Sequence, residues 1–580
     1  MPQGKVPGAN LAPSAPTHVL SLGNRAPGLL PHATAQNGLP DNLVTVAPGM
    51  DSRYGGQVLG VPEAAATQVP AGGTPGRSAE SPYYFLNLDR PTAPRPFDAD
   101  LSGLAPLDPL SVPSILPTGE LTSAVTPFGL PRGFTDSAPA QSETSSLYFL
   151  DDLRTPGGPA SGHAIEPAAP AQSAHPPFDV NAVRRDFPIL QERVNGRQLV
   201  WFDNAATTQK PQSVIDRLAY FYRHENSNIH RAAHALAGRA TDAYEGARSK
   251  VQRFINASQP EEIVFVRGTT EAINLVAKSW GAQNIQDGDE IIVSHLEHHA
   301  NIVPWQQLAS LTGATLRVIP VDDSGQVLLE EYGRLLTDRT KIVSVTQVSN
   351  ALGTIVPVKE IIEMAQRVGA VTLIDGAQSV SHMRVDVQAL DADFFVFSGH
   401  KVFGPTGIGV VYGKRALLDA MPPWQGGGNM ISDVTFERTV FQPAPHRFEA
   451  GTGNIADAVG LGAALDYVTR TGIENIARYE HDLLAYATQL MKPIPGVRLI
   501  GTADDKASVL SFVLNGYTPE EVGQALSEEG IAVRAGHHCA QPILRRYGLE
   551  ATVRPSLAFY NTGDEVDHMI AVVRRLANRR

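Results

Sequence analysis

The chain has 580 residues, a formal net charge of −12 at pH 7, 42% hydrophobic residues and one cysteine. A single thiol excludes an intramolecular disulfide scaffold, and an acidic balance without Lys-rich clusters argues against nucleic acid or any other polyanion as partner. No segment is long and apolar enough to span a bilayer, so no membrane association is expected and the chain reads as soluble.

The first 180 residues hold 28 of the 44 prolines and one lysine, Lys5. Ala, Gly, Ser and Pro dominate, and neither a helical nor a strand period is sustained. Such a segment cannot bury enough apolar area to offset ordering entropy of ~1–2 kcal/mol per residue, which predicts a disordered arm over 1–178. It opens Met1-Pro2-Gln3-Gly4-Lys5 and continues in Pro- and Gly-broken sequence, without the apolar core of a signal peptide. Inside the arm Tyr84-Phe85-Leu86-Asn87-Leu88-Asp89-Arg90 is echoed by Tyr148-Phe149-Leu150-Asp151-Asp152-Leu153-Arg154, each followed by a proline, Pro91 or Pro156. A fainter copy is Leu20-Ser21-Leu22-Gly23-Asn24-Arg25, and Pro96-Phe97-Asp98 is matched by Pro177-Phe178-Asp179. Accidental similarity in a biased composition is one reading. The other is a repeated docking motif, at about 81–98 and 145–156, whose aromatic anchors fill pockets on a partner with many identical sites.

Beyond the arm, 263–266 (Ile-Val-Phe-Val) reads as a buried strand running through Arg267 and Gly268 into Thr269, Thr270 and a helix over 271–280. Hydroxyls and free amides at that helix start suit a phosphate, although a Gly-Thr-Thr cap is commonly only a cap. A second buried strand, 371–374, ends in Asp375-Gly376-Ala377-Gln378. A carboxylate there could hold a pyridinium nitrogen protonated, or be a turn residue. A third, 393–397, ends in Ser398-Gly399-His400-Lys401, where a partly desolvated lysine could form a Schiff base. An electron-sink carboxylate, an amine and a phosphate cup on successive strand ends of one α/β sheet point together to pyridoxal phosphate. The cysteine lies in Arg534-Ala535-Gly536-His537-His538-Cys539-Ala540, between the apolar run 531–533 and Pro542-Ile543, which reads as a loop after a strand. Two imidazoles and a guanidinium favour its thiolate, yet on local chemistry alone a reactive thiol and an inert buried one both stay open.

From about Asp179 to Arg580 the chain resembles a cysteine desulfurase of the SufS type (group II), a class-V-aminotransferase-like, fold-type I pyridoxal-phosphate enzyme. The motifs are Arg-Gly-Thr-Thr-Glu at 267–271, Glu-His-His-Ala-Asn-Ile-Val-Pro-Trp at 297–305 and Val-Ser-Asn-Ala-Leu-Gly at 348–353. They continue with Asp-Gly-Ala-Gln at 375–378, Ser-Gly-His-Lys at 398–401, Arg-Phe-Glu-Ala-Gly-Thr at 447–452 and Arg-Ala-Gly-His-His-Cys at 534–539. The resemblance implies that Lys401 carries the cofactor and later moves protons, that Asp375 pairs the ring nitrogen, that Gln378 bonds the phenolic oxygen, and that His298 stacks on the ring and takes part in catalysis. Thr269, Thr270, Ser398 and His400 would hold the phosphate, with Thr452 reaching it from the partner of a homodimer. Asn350 and Arg554 would grip the substrate carboxylate, with Arg534 and His234 also at the substrate. His537 and His230 are further candidates for proton shuttling; His224, and on balance His230, read as surface or packing residues. No metal is implied.

The activity implied is conversion of L-cysteine to L-alanine, with Cys539 attacking the substrate sulfur to become a persulfide that a protein or thiol acceptor then discharges, for iron–sulfur assembly or sulfur storage. The compact loop with Pro542 favours the SufS branch over the branch with a longer mobile cysteine loop. Selenocysteine lyase or cysteine sulfinate desulfinase activity in the same site, and an assembly or scaffold role through the arm, are the alternatives. Disordered extensions with repeated anchors also resemble cargo-loading segments of desulfurases packaged in encapsulin nanocompartments, which implies a shell-protein partner and a location in the cytoplasm inside such a shell. The fold expected over 179–580 is α/β: a large domain at about 200–450 with a mostly parallel seven-stranded sheet, and a small α/β domain at about 455–580 with 181–200.

Overall fold

The computed structural model describes residues 178–230 and 233–579. The arm and its clusters at 81–98 and 145–156 lie outside the described residues, Phe178 excepted. Phe178, assigned to the arm by sequence, stacks on Tyr479 with ring centroids 4.8 Å apart and meets Phe559 edge-on. Asp179 next to it caps the helix α1 (Val180–Arg185), its Oδ1 accepting from Ala182 N at 2.9 Å. Phe178 and Asp179 therefore supply a packing ring and a helix start.

Next come β1 (Val200–Trp201), α2 (Gln212–His224), α3 (Ala235–Phe254) and β2 (Ile263–Val266). The expected helix after β2 is α4 (Thr269–Val276), continued by a wider π turn over Ala277–Gly281. There follow β3 (Glu290–Ser294), β4 (Thr315–Ile319), β5 (Thr340–Thr346), α5 (Val358–Arg367), β6 (Val371–Asp375), β7 (Phe394–Ser398) and β8 (Gly409–Gly413). These seven strands form one sheet in the order β2-β8-β7-β6-β5-β3-β4, with β8 alone antiparallel to its neighbours. The sheet is the mostly parallel one expected.

Its strands are apolar without alternation because both faces are covered. In β7, Phe395 and Phe397 enter one core with Val343, Val345 and Ile374, while Phe394 and Val396 enter the opposite core with Ile342 and Leu373. Burying each such ring contributes about 2–3 kcal/mol. Helix α5 shows the complementary logic: Val358, Ile361, Ile362 and Ala365 form its buried stripe at helical spacing.

The remainder comprises α6 (Ile455–Thr471), α7 (Ile473–Met491), β9 (Val497–Leu499), β10 (Phe512–Leu514), α8 (Pro519–Glu528), β11 (Ile531–Ala532), β12 (Arg534–Gly536), β13 (Thr552–Arg554) and α9 (Gly563–Ala577). Strands β9-β10-β13-β12 make an antiparallel sheet, and β11 pairs parallel with β1. Helices α7, α8 and α9 close a third core with Phe512 and Val553. Helix α6 packs instead on α2 and α3. Among the described residues no helix is long and apolar enough to cross a membrane.

Candidate active site

The carboxyl ends of β2, β6 and β7 meet at one edge of the large sheet, but they are not three consecutive neighbours. Antiparallel β8 runs between β2 and β7, and Gly409 at its start lies so close to the β2 turn that a Cβ would sit 2.5 Å from Gly268 Cα. Gly376 after β6 is equally constrained, since a Cβ there would meet the Phe395 ring at 2.0 Å.

The turn from β2 into α4 and the turn after β7 line a cleft of about 620 Å³ that includes Thr269, Thr270, Ser398, His400 and Gly407. Ser398 Oγ accepts from Thr269 N at 2.9 Å and lies 2.8 Å from Thr269 Oγ1. Thr270 faces solvent. First-turn amides of α4 lack intrahelical acceptors and open into a cleft with hydroxyls on its walls, a donor set suited to a phosphate. Arg267 and Lys278, which sequence reasoning passed over, also line it. Burial, with Lys401 and Lys210 beside it, lowers the pKa of His400 to about 4, so its imidazole is neutral.

Lys401 follows in the 3-10 turn Gly399–Lys401. Burial pulls its amine down to about 8 against the attraction of Asp375, which makes it a competent nucleophile near neutral pH. Four groups converge on the carbonyl just before it: His400 O accepts from Thr208 N at 3.0 Å, Thr207 Oγ1 at 3.0 Å, Thr208 Oγ1 at 3.2 Å and Lys210 Nζ at 3.3 Å. Asp375 is buried, and its Oδ1 accepts from Ala377 N at 2.9 Å. Burial raises its pKa while that amide and Lys401 oppose the shift. Gln378 is buried and donates to Ala205 O at 2.7 Å.

His298 caps the short turn His299–Asn301, its Nδ1 accepting from Ala300 N at 3.0 Å. Burial first, then Lys401, His299 and Arg554, hold its pKa at about 3. Beneath it Glu297 is fully buried: Oε1 accepts from Ser294 Oγ at 2.5 Å and Thr346 N at 3.0 Å, and Oε2 from Asn301 Nδ2 at 2.6 Å. Burial pushes this carboxyl up to about 7. Glu297 thus ties the His298 turn to the end of β5, whose Thr346 pairs with Asp375 on β6.

Cys539 lies in the loop 537–540 between β12 and the helix Gln541–Arg546. His538 and Cys539 both take left-handed backbone, φ 54° and 53°. Asn350 Nδ2 donates to His538 O at 2.7 Å, and His299 N donates to Cys539 O at 2.8 Å. His537 accepts from Cys539 N at 3.0 Å and stacks near His299. Arg554 is buried, donates Nη1 to Asn350 O at 2.9 Å and leaves Nε without a partner, as is Asn350 Oδ1. Asp203, absent from the sequence-level site, joins the two arginines: Oδ2 accepts from Arg534 at 3.1 Å and Oδ1 from Arg554 at 3.4 Å. Its signal was the apolar run 199–202 ending in Asp-Asn, the same pattern that marked Asp375.

Two expected residues stand apart from this constellation. Thr452 is exposed, accepts from Asn228 Nδ2 at 3.2 Å and does not line the cleft. His234 is exposed and caps α3 through Ala237 N. His230 packs against His446 and bonds Glu245 at 3.0 Å, and His224 ends α2 against Tyr220. The orphaned nitrogen of Arg554, the buried amine of Lys401 and the amide-and-hydroxyl cleft fit pyridoxal phosphate and an amino acid beside it.

Residues 200–569 match the family model described as aminotransferase class-V. A protein of Synechococcus elongatus named cysteine desulfurase is 64% identical over 515 residues, covering 88% of this chain and 80% of that protein. Mycobacterium leprae has a probable cysteine desulfurase 1 that is 54% identical over 585 residues, covering 97% and 94%. The crystal structure of cysteine desulfurase CsdA from Escherichia coli aligns at 40% identity and TM-score 0.65, over 69% of this chain and 99% of that one. The apo cysteine desulfurase of Thermococcus onnurineus aligns at 38% identity and TM-score 0.66, over 69% and 98%.

Proposed function

The chain belongs to the class-V aminotransferase family and is a pyridoxal-phosphate-dependent cysteine desulfurase, and from that premise we propose that it is of the SufS type, moving sulfur from L-cysteine onto Cys539. The observation that carries this reading is a buried low-pKa amine, Lys401, close enough to feel both Asp375 and Cys539, whose loop is anchored by Asn350 and His299. Lys401 would be the covalent anchor, Asp375 would pair the ring nitrogen, Gln378 the phenolic oxygen, and neutral His298 would lie on the ring face. Thr269, Thr270, Ser398 and His400 would hold the phosphate. Bound pyridoxal phosphate supplies the electron sink for a substrate whose Cα–H bond breaks.

The protein's own groups do the rest. Arg554, whose Nε lacks a partner, and the second N–H of Asn350 Nδ2 bind the α-carboxylate, and Lys401, once free, moves the proton at Cα. Cys539 Sγ forms a bond to the substrate sulfur as the Cβ–S bond breaks, so the sulfur remains as a persulfide and alanine leaves. A tether of only residues 537–540 supports the SufS branch, because the persulfide stays near its pocket and a protein or thiol acceptor must approach it.

Thr452 and His234, exposed here, would complete the partner's site in a homodimer. Helix α6 packs with α2 and α3, so we set the boundary between large and small domains at Gly472 rather than near 455. The arm would load the enzyme into an encapsulin-like shell through its Tyr-Phe-Leu clusters, feeding storage or iron–sulfur assembly; deletion of 1–177 should spare turnover and abolish co-purification with a shell. The central test is chemical. Borohydride reduction of holoenzyme should attach the cofactor to Lys401, and L-cysteine should add one sulfur atom to the Cys539 peptide. An adduct on Lys210, the other amine lowered to about 8 nearby, or turnover that survives Cys539→Ala, would overturn the reading.

A further inference from the structure

We infer that Asp203 is a specificity-determining residue: it cancels one of two guanidinium charges, leaving the substrate pocket one net positive charge, matched to a single α-carboxylate and selective against amino acids with an anionic side chain. The inference rests on the reading that Arg554 and Asn350 take the substrate carboxylate.

Strands β12 and β13 place Arg534 directly opposite Arg554 in the sheet register. Two adjacent guanidinium groups would present two positive charges to whatever enters. Asp203 lies across both, with Oδ2 at 3.2 Å from Arg534 Nε and 3.1 Å from Nη2, and Oδ1 at 3.4 Å from Arg554 Nη2. Its side chain is 13% exposed, against 50% for Arg534 and 3% for Arg554. The count is therefore two positive and one negative, at the wall where Lys401 and Cys539 also sit. Asp375 likewise attracts the Lys401 amine.

Asp203 is also rigidly held. Its backbone bridges to Ser556, Ser556 N donates to Phe202 O at 2.7 Å, and Ala205 N donates to Ser556 Oγ at 2.9 Å. The backbone is fixed this way, and the carboxylate itself is held by its bonds to the two arginines. An amino acid such as L-cysteine sulfinate or L-aspartate would meet both an unmatched charge and a like charge. The contact with Arg554 is the long one, so Arg554 keeps donor capacity for the α-carboxylate, while Arg534 is the charge that Asp203 silences.

The test uses holoenzyme and follows cofactor absorbance on titration with L-alanine, which has a neutral side chain, and L-aspartate, which has the shape and charge of the sulfinate. Asp203→Asn should tighten L-aspartate relative to L-alanine by about tenfold, the scale of one partly screened charge a few ångströms away. Arg534→Gln should shift the ratio the opposite way, and the double variant should restore the wild-type ratio. Alanine release should follow: kcat/KM for L-cysteine sulfinate over that for L-cysteine rises in Asp203→Asn. A strut without electrostatic effect would weaken both ligands equally, and an unchanged ratio overturns the inference. If Asp203→Asn does not fold, Arg534→Gln alone decides by the direction of its shift. Arg554→Lys leaving both affinities untouched would sink the reading of the carboxylate site itself, and the inference with it.

Discussion

Lys401 makes the cost of building this site measurable. Its amine is brought from an ordinary 10.5 to about 8 because burial outweighs the attraction of Asp375. At pH 7 the amine is charged in the folded and unfolded states alike, so the cofactor-free fold carries the whole penalty, about 3 kcal/mol. Between pH 8 and 10.5 the folded protein has released this proton and the unfolded chain still binds it. Stability therefore rises with pH in that window and is flat outside it. Lys210 and Lys506 are also lowered to about 8, so the bare pH slope mixes three amines. The difference between wild type and Lys401→Met isolates one. In urea unfolding of cofactor-free protein, wild type should gain up to about 3 kcal/mol on that variant from pH 7.5 to 10. At pH 7 the variant should be the more stable, by less than this, because Asp375 loses its attracting cation. Identical pH dependence in the two proteins would refute the argument.

Glu297→Gln turns one acceptor into an amide facing Asn301 Nδ2, and Asn301 cannot flip because its Oδ1 is held by Trp305 Nε1 and Ser344 Oγ. The expected loss is about 1–3 kcal/mol, read as a lower urea midpoint. Glu449 joins Arg248 bidentately at 2.7 and 2.9 Å and accepts from Phe265 N, binding the 447–452 segment to β2. Glu449→Ala leaves the buried Arg248 with Glu245 as its one carboxylate partner and should cost about 3 kcal/mol, whereas replacing both Glu449 and Arg248 by apolar residues should cost less. His298 is neutral throughout the range where histidines ordinarily titrate, since its pKa lies near 3. The kcat/KM profile between about pH 5 and 8 should thus keep its shape in His298→Phe while its height falls.

The buried strands 263–266, 371–375 and 394–398 were legible because both of their faces are apolar, and the residues at their ends came with them. Harder to see was the strand between two of them. Gly409–Gly413 is as apolar as its neighbours, and nothing in its composition states that it runs the other way. Thr452 and His234, expected at the cofactor and the substrate, are exposed, their side chains bonding Asn228 and Ala237 here, and nothing in their local sequence states which way those side chains face. Asp203, Lys210 and Glu297 escaped for a different reason. Their importance comes from burial or from partners that local sequence does not pair: Arg554 is 351 residues from Asp203, His400 190 from Lys210 and Thr346 49 from Glu297. Phe178 shows the converse error. An aromatic next to a proline-rich stretch reads as exposed until Tyr479 and Phe559 are folded against it.

The conformation of the cysteine loop has a consequence of its own. His538 and Cys539 are consecutive non-glycine residues in left-handed backbone, a state that costs about 1–3 kcal/mol per residue unless its surroundings enforce it. Enforcement comes from Asn350 on His538 O, His299 on Cys539 O, and the buried ring of His538, whose Nε2 lies 2.8 Å from Thr552 Oγ1. Burial keeps that ring neutral, its pKa at about 2, so protonation cannot release it above pH 5. The thiol is thus held in place by bonds that a small change can remove. Thr552→Val keeps the shape of β13 and deletes the hydroxyl, leaving the ring with no side-chain partner. The fold should lose about 1 kcal/mol, and the loop should relax toward ordinary backbone. Cys539 should then react faster with iodoacetamide, and persulfide formation per bound cysteine should slow, because the sulfur no longer waits at its position. An unchanged alkylation rate in a folded Thr552→Val protein would mean that Asn350 and His299 suffice to hold the loop.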